Sequence, residues 1–118
     1  MDAMFPIKIK ISSKLAQELA YCEEGRHEDY ETHKEEYPDY PILDYPHAYH
    51  IADKAATDRG NLVIENNEQA SDLYYAVCSG TFQLYHLATS TRIADILREV
   101  VRAHEPSLVN RWPAPSGH

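Results

Sequence analysis

Ile7, Ile9 and Ile11 alternate with Lys8 and Lys10, the period of two expected of a half-buried strand. Ser12 or Ser13 can cap a following helix with Glu18 early in it, along which Leu15, Leu19 and Cys22 recur at helical spacing to about Glu24. Gly25 is read as the end of that run. Residues 26–37 offer almost no apolar stripe. Tyr30, His33 and Tyr37, at i, i+3 and i+7, allow a thin aromatic seam on a polar helix, and an irregular arm fits equally well. From 37 to 46 each residue before a proline is pushed toward extended geometry, so helix is disfavoured there. A polyproline II repeat of three would align Tyr37, Tyr40 and Leu43 on one face of an extended strap.

Helical periodicity resumes after an entry signal at Asp44 and Pro46, with Ala48, Ile51, Ala52 and Ala55 on one face and Gly60-Asn61 as the stop. Leu62-Val63-Ile64 is a short apolar run, read as a strand beside 7–11. Asn66 or Asn67 caps a long helix, with the acids Glu68 and Asp72 in its first turns, where they complement the dipole. Its apolar face is expected to run from Ala70, Leu73, Tyr74, Val77 and Cys78 through a kink at Gly80 to Phe82, Leu84, Tyr85 and Ala88. Thr89-Ser90-Thr91 is expected to break and recap the chain. A last helix carries Ile93, Ile96, Leu97, Val100 and Val101 and ends at Glu105-Pro106.

The expected fold is therefore α+β and predominantly helical, four to five helices with a short two-stranded ribbon of about 7–11 with 61–65. Residues 1–106 form a single globular domain with an acidic Tyr/Pro-rich insertion at about 26–46. Residues 107–118 form a C-terminal tail from which Trp112 can dock on the body.

Composition sharpens one region. The 118 residues carry a net charge of −8, and segment 21–50 holds nine of the nineteen acids, six of the nine tyrosines and four of the seven histidines. Within it, Glu36-Tyr37-Pro38, Asp39-Tyr40-Pro41 and Asp44-Tyr45-Pro46 repeat an acid-Tyr-Pro triplet. Net negative charge disfavours generic nucleic-acid affinity, which needs clustered Lys and Arg. It suits a basic protein surface, or simply solubility. The apolar runs are too short to span a membrane, and the N-terminus shows neither a basic n-region nor an apolar h-region. A cytoplasmic protein is expected, with Cys22 and Cys78 as buried free thiols.

Candidate chemistry is sparse. His27, His33, His47 and His50 and the acids around them supply metal-ligand atoms, and Glu24-x-x-His27 and Asp44-x-x-His47 resemble the Glu-x-x-His element of di-metal carboxylate bundles. That element needs an unbroken helix, which Gly25 and Pro46 are expected to interrupt, so neither a metal site nor a cofactor is assigned. Cys78 and His86, eight residues apart on one expected helix, stand about 12 Å apart along its axis, too far for a thiolate-imidazole pair. Nucleotide-binding and hydrolase motifs are absent, and a non-enzymatic protein is expected.

The strand Ile7–Ile11 with outward Lys8 and Lys10, then Ser12-x-x-Leu15 into a helix, resembles the first half of a ribbon-helix-helix repressor. The resemblance covers about 18 residues and implies a dimer that lays paired strands in the major groove. It lapses at His27–Tyr37, where that fold needs a second apolar helix. The acid-Tyr-Pro strap itself reads either as a packed connector or as a recognition surface. As a surface, tyrosine rings provide contact area at low rotamer cost, prolines reduce the ordering penalty and carboxylates select a basic partner, mimicry of nucleic acid included. The leading expectation is an interaction or regulatory protein binding a basic macromolecular surface through Glu35, Glu36, Tyr37, Asp39, Tyr40, Asp44 and Tyr45. A homodimer is compatible with it. The alternatives are a small dimeric DNA-binding regulator and a His/carboxylate metal protein.

Overall fold

The structure, a computed structural model, describes residues 4–36 and 45–112. Among them the chain forms β1 (Ile7–Lys10), α1 (Ser13–His33), α2 (Pro46–Ala56), β2 (Asn61–Ile64), α3 (Asn67–Cys78), α4 (Thr81–Tyr85), α5 (Leu87–His104) and α6 (Pro106–Val109). This is the expected predominantly helical α+β fold, with six helices and a two-stranded antiparallel ribbon in these residues. The ribbon register pairs Ile7 with Ile64 and Ile9 with Leu62, so the buried residues of both strands share one face. Gly60 closes the approach to β2 at φ 85°, and a side chain there would overlap the backbone of Ile11.

The helix starts follow local chemistry. The Leu15 N–H donates to Ser12 Oγ at 3.0 Å, and the Gln69 N–H donates to Asn66 Oδ1 at 2.9 Å, each satisfying a donor that the first helical turn leaves open. The entry of α2 differs from the expectation. Pro46 occupies the first turn, but its neighbour Tyr45 supplies no side-chain cap, and Asp44 lies outside the described residues. The cap comes from another helix, the His47 N–H donating to Asp72 Oδ2 of α3 at 3.1 Å.

Three boundaries depart from the sequence reading. First, α1 does not stop at Gly25 but continues to His33. A glycine in a helix interior costs about 1 kcal/mol and does not by itself end the helix. Here Gly25 is followed by pairs that support a helix surface, Glu31 with Lys34 at 2.7 Å and Asp29 with His33 at 3.1 Å. Second, the chain breaks at Ser79-Gly80 instead of kinking. Gly80 takes φ 100°, ψ −167°, open to glycine alone, so α4 restarts out of phase with α3. Phe82 and Gln83 turn inward, while Leu84, Tyr85 and Ala88, expected on the apolar face, are exposed. Third, α5 runs straight through Thr89-Ser90-Thr91. Ser90 lies at helical spacing from Ile93, Ala94, Leu97 and Val101, and the buried stripe absorbs it.

The core joins the ribbon's inner face to α1, α2, α3 and α5. Tyr74 sits at its centre and is fully buried, its hydroxyl bonded to the Arg98 guanidinium. Trp112 packs onto the core, stacked on Tyr74 at 4.2 Å with its indole N–H donating to Ser71 Oγ at 3.2 Å. The start of the expected tail thus belongs to the body. Residues 113–118 lie outside the described residues.

Candidate interaction surface

Helix α1 changes character halfway. Ala16, Leu19, Ala20 and Glu23 are buried, and beyond Glu23 no side chain of the helix is. Glu24, Glu28, Asp29 and Glu31 are exposed along this second half, and Glu35 and Glu36 continue the series in the turn that follows. Six carboxylates therefore stand in thirteen residues, against Arg26 and Lys34.

Arg26 is not available as a counter-charge. Its Nε lies 3.2 Å from Glu23 Oε1, its Nη2 donates to the Ser79 carbonyl at 2.8 Å, and its guanidinium lies over the Tyr45 ring at 5.0 Å. One side chain thereby ties α1 to the α3–α4 turn and to the start of α2. The Gly80 conformation belongs to the same junction, since a Cβ at Gly80 would collide with that guanidinium. Lys34 pairs with Glu31, and their hydrogen bond lowers the Glu31 carboxyl and raises the Lys34 ammonium from their ordinary values.

The expected recognition residues divide. Glu35 and Glu36 are exposed at the end of the acidic ridge. Tyr37, Asp39, Tyr40 and Asp44 lie outside the described residues. Tyr45 is half-buried and stacks on Tyr75, ring centroids 5.6 Å apart and planes 11° from parallel. Burial, reinforced by Tyr75, Glu23 and Asp72 against the opposing Arg26, raises its phenol. Its ring is thus already engaged within the chain.

The histidines also divide. His27 and His50 line a cleft of about 300 Å³ between α1 and α2 together with Glu24, Glu28, Pro46 and Tyr49. Because α1 is continuous, Gly25 does not interrupt Glu24-x-x-His27, contrary to the expectation. His33 sits against Asp29, and His47 lies 3.6 Å from Glu68. Among the described residues, no group of three or more His, Cys, Asp or Glu side chains is arranged to hold a metal ion.

A second, larger opening went unread in the sequence. Tyr21, Cys22, Glu24, Gly25, Arg26, Glu28 and Asp29 of α1 face Gly80 and Thr81 across a cleft of about 600 Å³. Burial pushes the Cys22 thiol up, with Glu23 and Glu18 adding to it, so it is a poor nucleophile at neutral pH. Tyr21 is 78% exposed, and Leu84 and Tyr85, three and four residues past Thr81 on α4, are 81% and 77% exposed. The signal that could have revealed the exposure of Leu84 and Tyr85 is the Ser79-Gly80 pair, read as a break in phase. His86, expected to share a helix with Cys78, instead caps α4 and pairs with Glu18 of α1, which fixes the two helices side by side.

Comparison with protein-family models, with curated proteins and with solved structures returned no match. Among the described residues no helix is long and apolar enough to cross a membrane.

Proposed function

We propose that this protein is a non-enzymatic interaction protein that binds a basic surface of a macromolecular partner through the acidic second half of α1 and the Tyr/Pro-rich segment that follows it. The observation that carries the reading is the exposed run of Glu24, Glu28, Asp29, Glu31, Glu35 and Glu36, whose nearby Arg26 is held by Glu23 and the Ser79 carbonyl. Carboxylates in that arrangement attract a cationic partner over a Debye length and set its approach. Glu35, Glu36, Asp39 and Asp44 provide charge in this reading, and Tyr37 and Tyr40 provide contact area. Tyr45 contributes by fixing where the segment rejoins the body, since its ring already stacks on Tyr75.

The DNA-binding alternative has a weaker footing. Lys8 and Lys10 are exposed on one face of the ribbon. Yet the strand that a ribbon-helix-helix dimer takes from a second copy is supplied here by β2, and Arg92 of α5 donates to the Lys10 carbonyl at 2.7 Å.

The test is affinity capture from the source cell by wild-type protein and by a variant carrying Glu35→Lys, Glu36→Lys, Tyr37→Ala and Tyr40→Ala, each eluted by rising salt. A partner held by the wild type should elute early and bind the variant at least about tenfold more weakly, the equivalent of about 1.4 kcal/mol. Equal binding of wild type and variant overturns the proposal. Tyr45 is kept, because its loss would also remove packing.

A further inference from the structure

We infer that the cleft between α1 and α4 is a docking site for an amphipathic basic peptide segment, one that places an apolar side chain on the α4 ledge and Lys or Arg against the α1 rim. The inference rests on the proposed affinity for a basic partner and names what such a partner must also carry.

Three observations converge on this cleft. Tyr21, Gly25, Glu28 and Asp29 fall at i, i+4, i+7 and i+8 and so share one face of α1, which forms one wall. Thr81 lines the opposite wall, and Leu84 and Tyr85, three and four residues on, continue its face into solvent. Leu84 and Tyr85 give apolar area beyond one wall, and Glu24, Glu28 and Asp29 line the other, where the guanidinium of Arg26 is held by Glu23 and the Ser79 carbonyl; the arrangement matches an amphipathic cation and repels an acidic segment.

The third observation is Gly25. A helix interior disfavours glycine, and none of the usual reasons for one applies here. Its backbone is helical, and a Cβ built on it would meet nothing within 4 Å, so no neighbour requires the missing side chain. What the glycine does is leave the floor of the cleft open, where a peptide backbone can approach α1 closely. Leu84 and Tyr85 are exposed because Gly80 resets the phase of α4, and the Glu18–His86 pair holds α4 against α1 so that the ledge keeps its place beside the rim. The volume of about 600 Å³ suits one or two large side chains with a stretch of backbone.

The test uses a fluorescent helical peptide of Leu and Lys as probe, with a Ser/Lys peptide of equal charge as control. Wild-type protein should bind the Leu/Lys peptide at least tenfold more tightly than the control. Gly25→Met plugs the floor with a good helix former, so it should weaken that binding at least tenfold while the unfolding midpoint stays equal or rises. Equal binding of the two peptides, no binding of either, or unchanged binding by Gly25→Met overturns the inference. If Glu35→Lys with Glu36→Lys weakens capture of a cellular partner while Gly25→Met does not, the docking site falls and the proposed function stands. If neither change weakens it, both fall. Leu84→Ser with Tyr85→Ser reads out the remaining occupant: conversion of a dimer to a monomer would make the ledge a contact between copies and overturn the inference.

Discussion

Helices α1 and α5 are the two longest in the described chain, and they spend their residues differently. α5 buries one stripe from Ser90 to Val101, and that stripe continues through a Thr-Ser-Thr sequence which local propensity would break. α1 buries its stripe only to Glu23 and then runs ten residues further with no buried side chain. In α5 tertiary burial holds the helix. In the second half of α1 short-range side-chain pairs support it, Glu31 with Lys34 and Asp29 with His33, together with the Arg26 tether. The first half of α1 belongs to the fold, and the second half is surface built on a helical frame.

The strongest way to break that division is to cut the tether. Arg26→Ala removes the partner at 3.2 Å from Glu23, a carboxylate only 2% exposed, and releases the Ser79 carbonyl and the Tyr45 ring. Stability should fall by about 3 kcal/mol, because breaking a buried pair strands the charge that remains. Urea unfolding measures it, and a loss below about 1 kcal/mol would make the two halves of α1 independent. Gly80→Ala acts on the same junction from the other side. It forces φ 100° on an alanine whose Cβ meets Arg26, and should cost about 2 kcal/mol.

At the buried end of the comparison, Ser90 is 1% exposed and its hydroxyl has no hydrogen-bond partner among the described residues. Ser90→Ala should stabilise by about 1 kcal/mol, from improved helix propensity and the removal of an unpaired polar group. A loss of stability would mean that the α5 stripe is not sealed there. Alkaline pH gives a smaller, graded effect on the whole body. Burial raises the Cys22 and Cys78 thiols and the Tyr45 and Tyr74 phenols, and Asp53 with burial raises Tyr49. These groups ionise first in the unfolded chain, so stability present below their ordinary values should decline as pH rises toward their folded ones. Thermal unfolding in an alkaline series reads it out, and a midpoint that climbs with pH would contradict it.

Much of the fold was legible because hydrophobic period and capping agree locally. The Ile7–Ile11 alternation, the Ser12 and Asn66 caps, Pro46 at a first turn and the ribbon pairing follow from short windows of sequence. What escaped depends on distant groups or on phase. Gly25 looks like a stop because nothing nearby announces that the Arg26 side chain will reach Ser79. Leu84 and Tyr85 fit the α3 stripe perfectly well until Gly80 rotates the frame beneath them. Asp72 capping α2 is a contact 25 residues away in sequence. Of the candidate site, the acidity was readable from composition, but the cleft was not. It lies between residues of α1 and Gly80-Thr81, which face each other only after α1 and α4 lie side by side.

The most direct measurement is amide hydrogen exchange of the intact protein with and without the Leu/Lys peptide. Exchange should slow over residues 21–29 and 80–85, with the second half of α1 gaining more protection than α5. No change in those two stretches, or protection confined to β1 around Lys8 and Lys10, would contradict it.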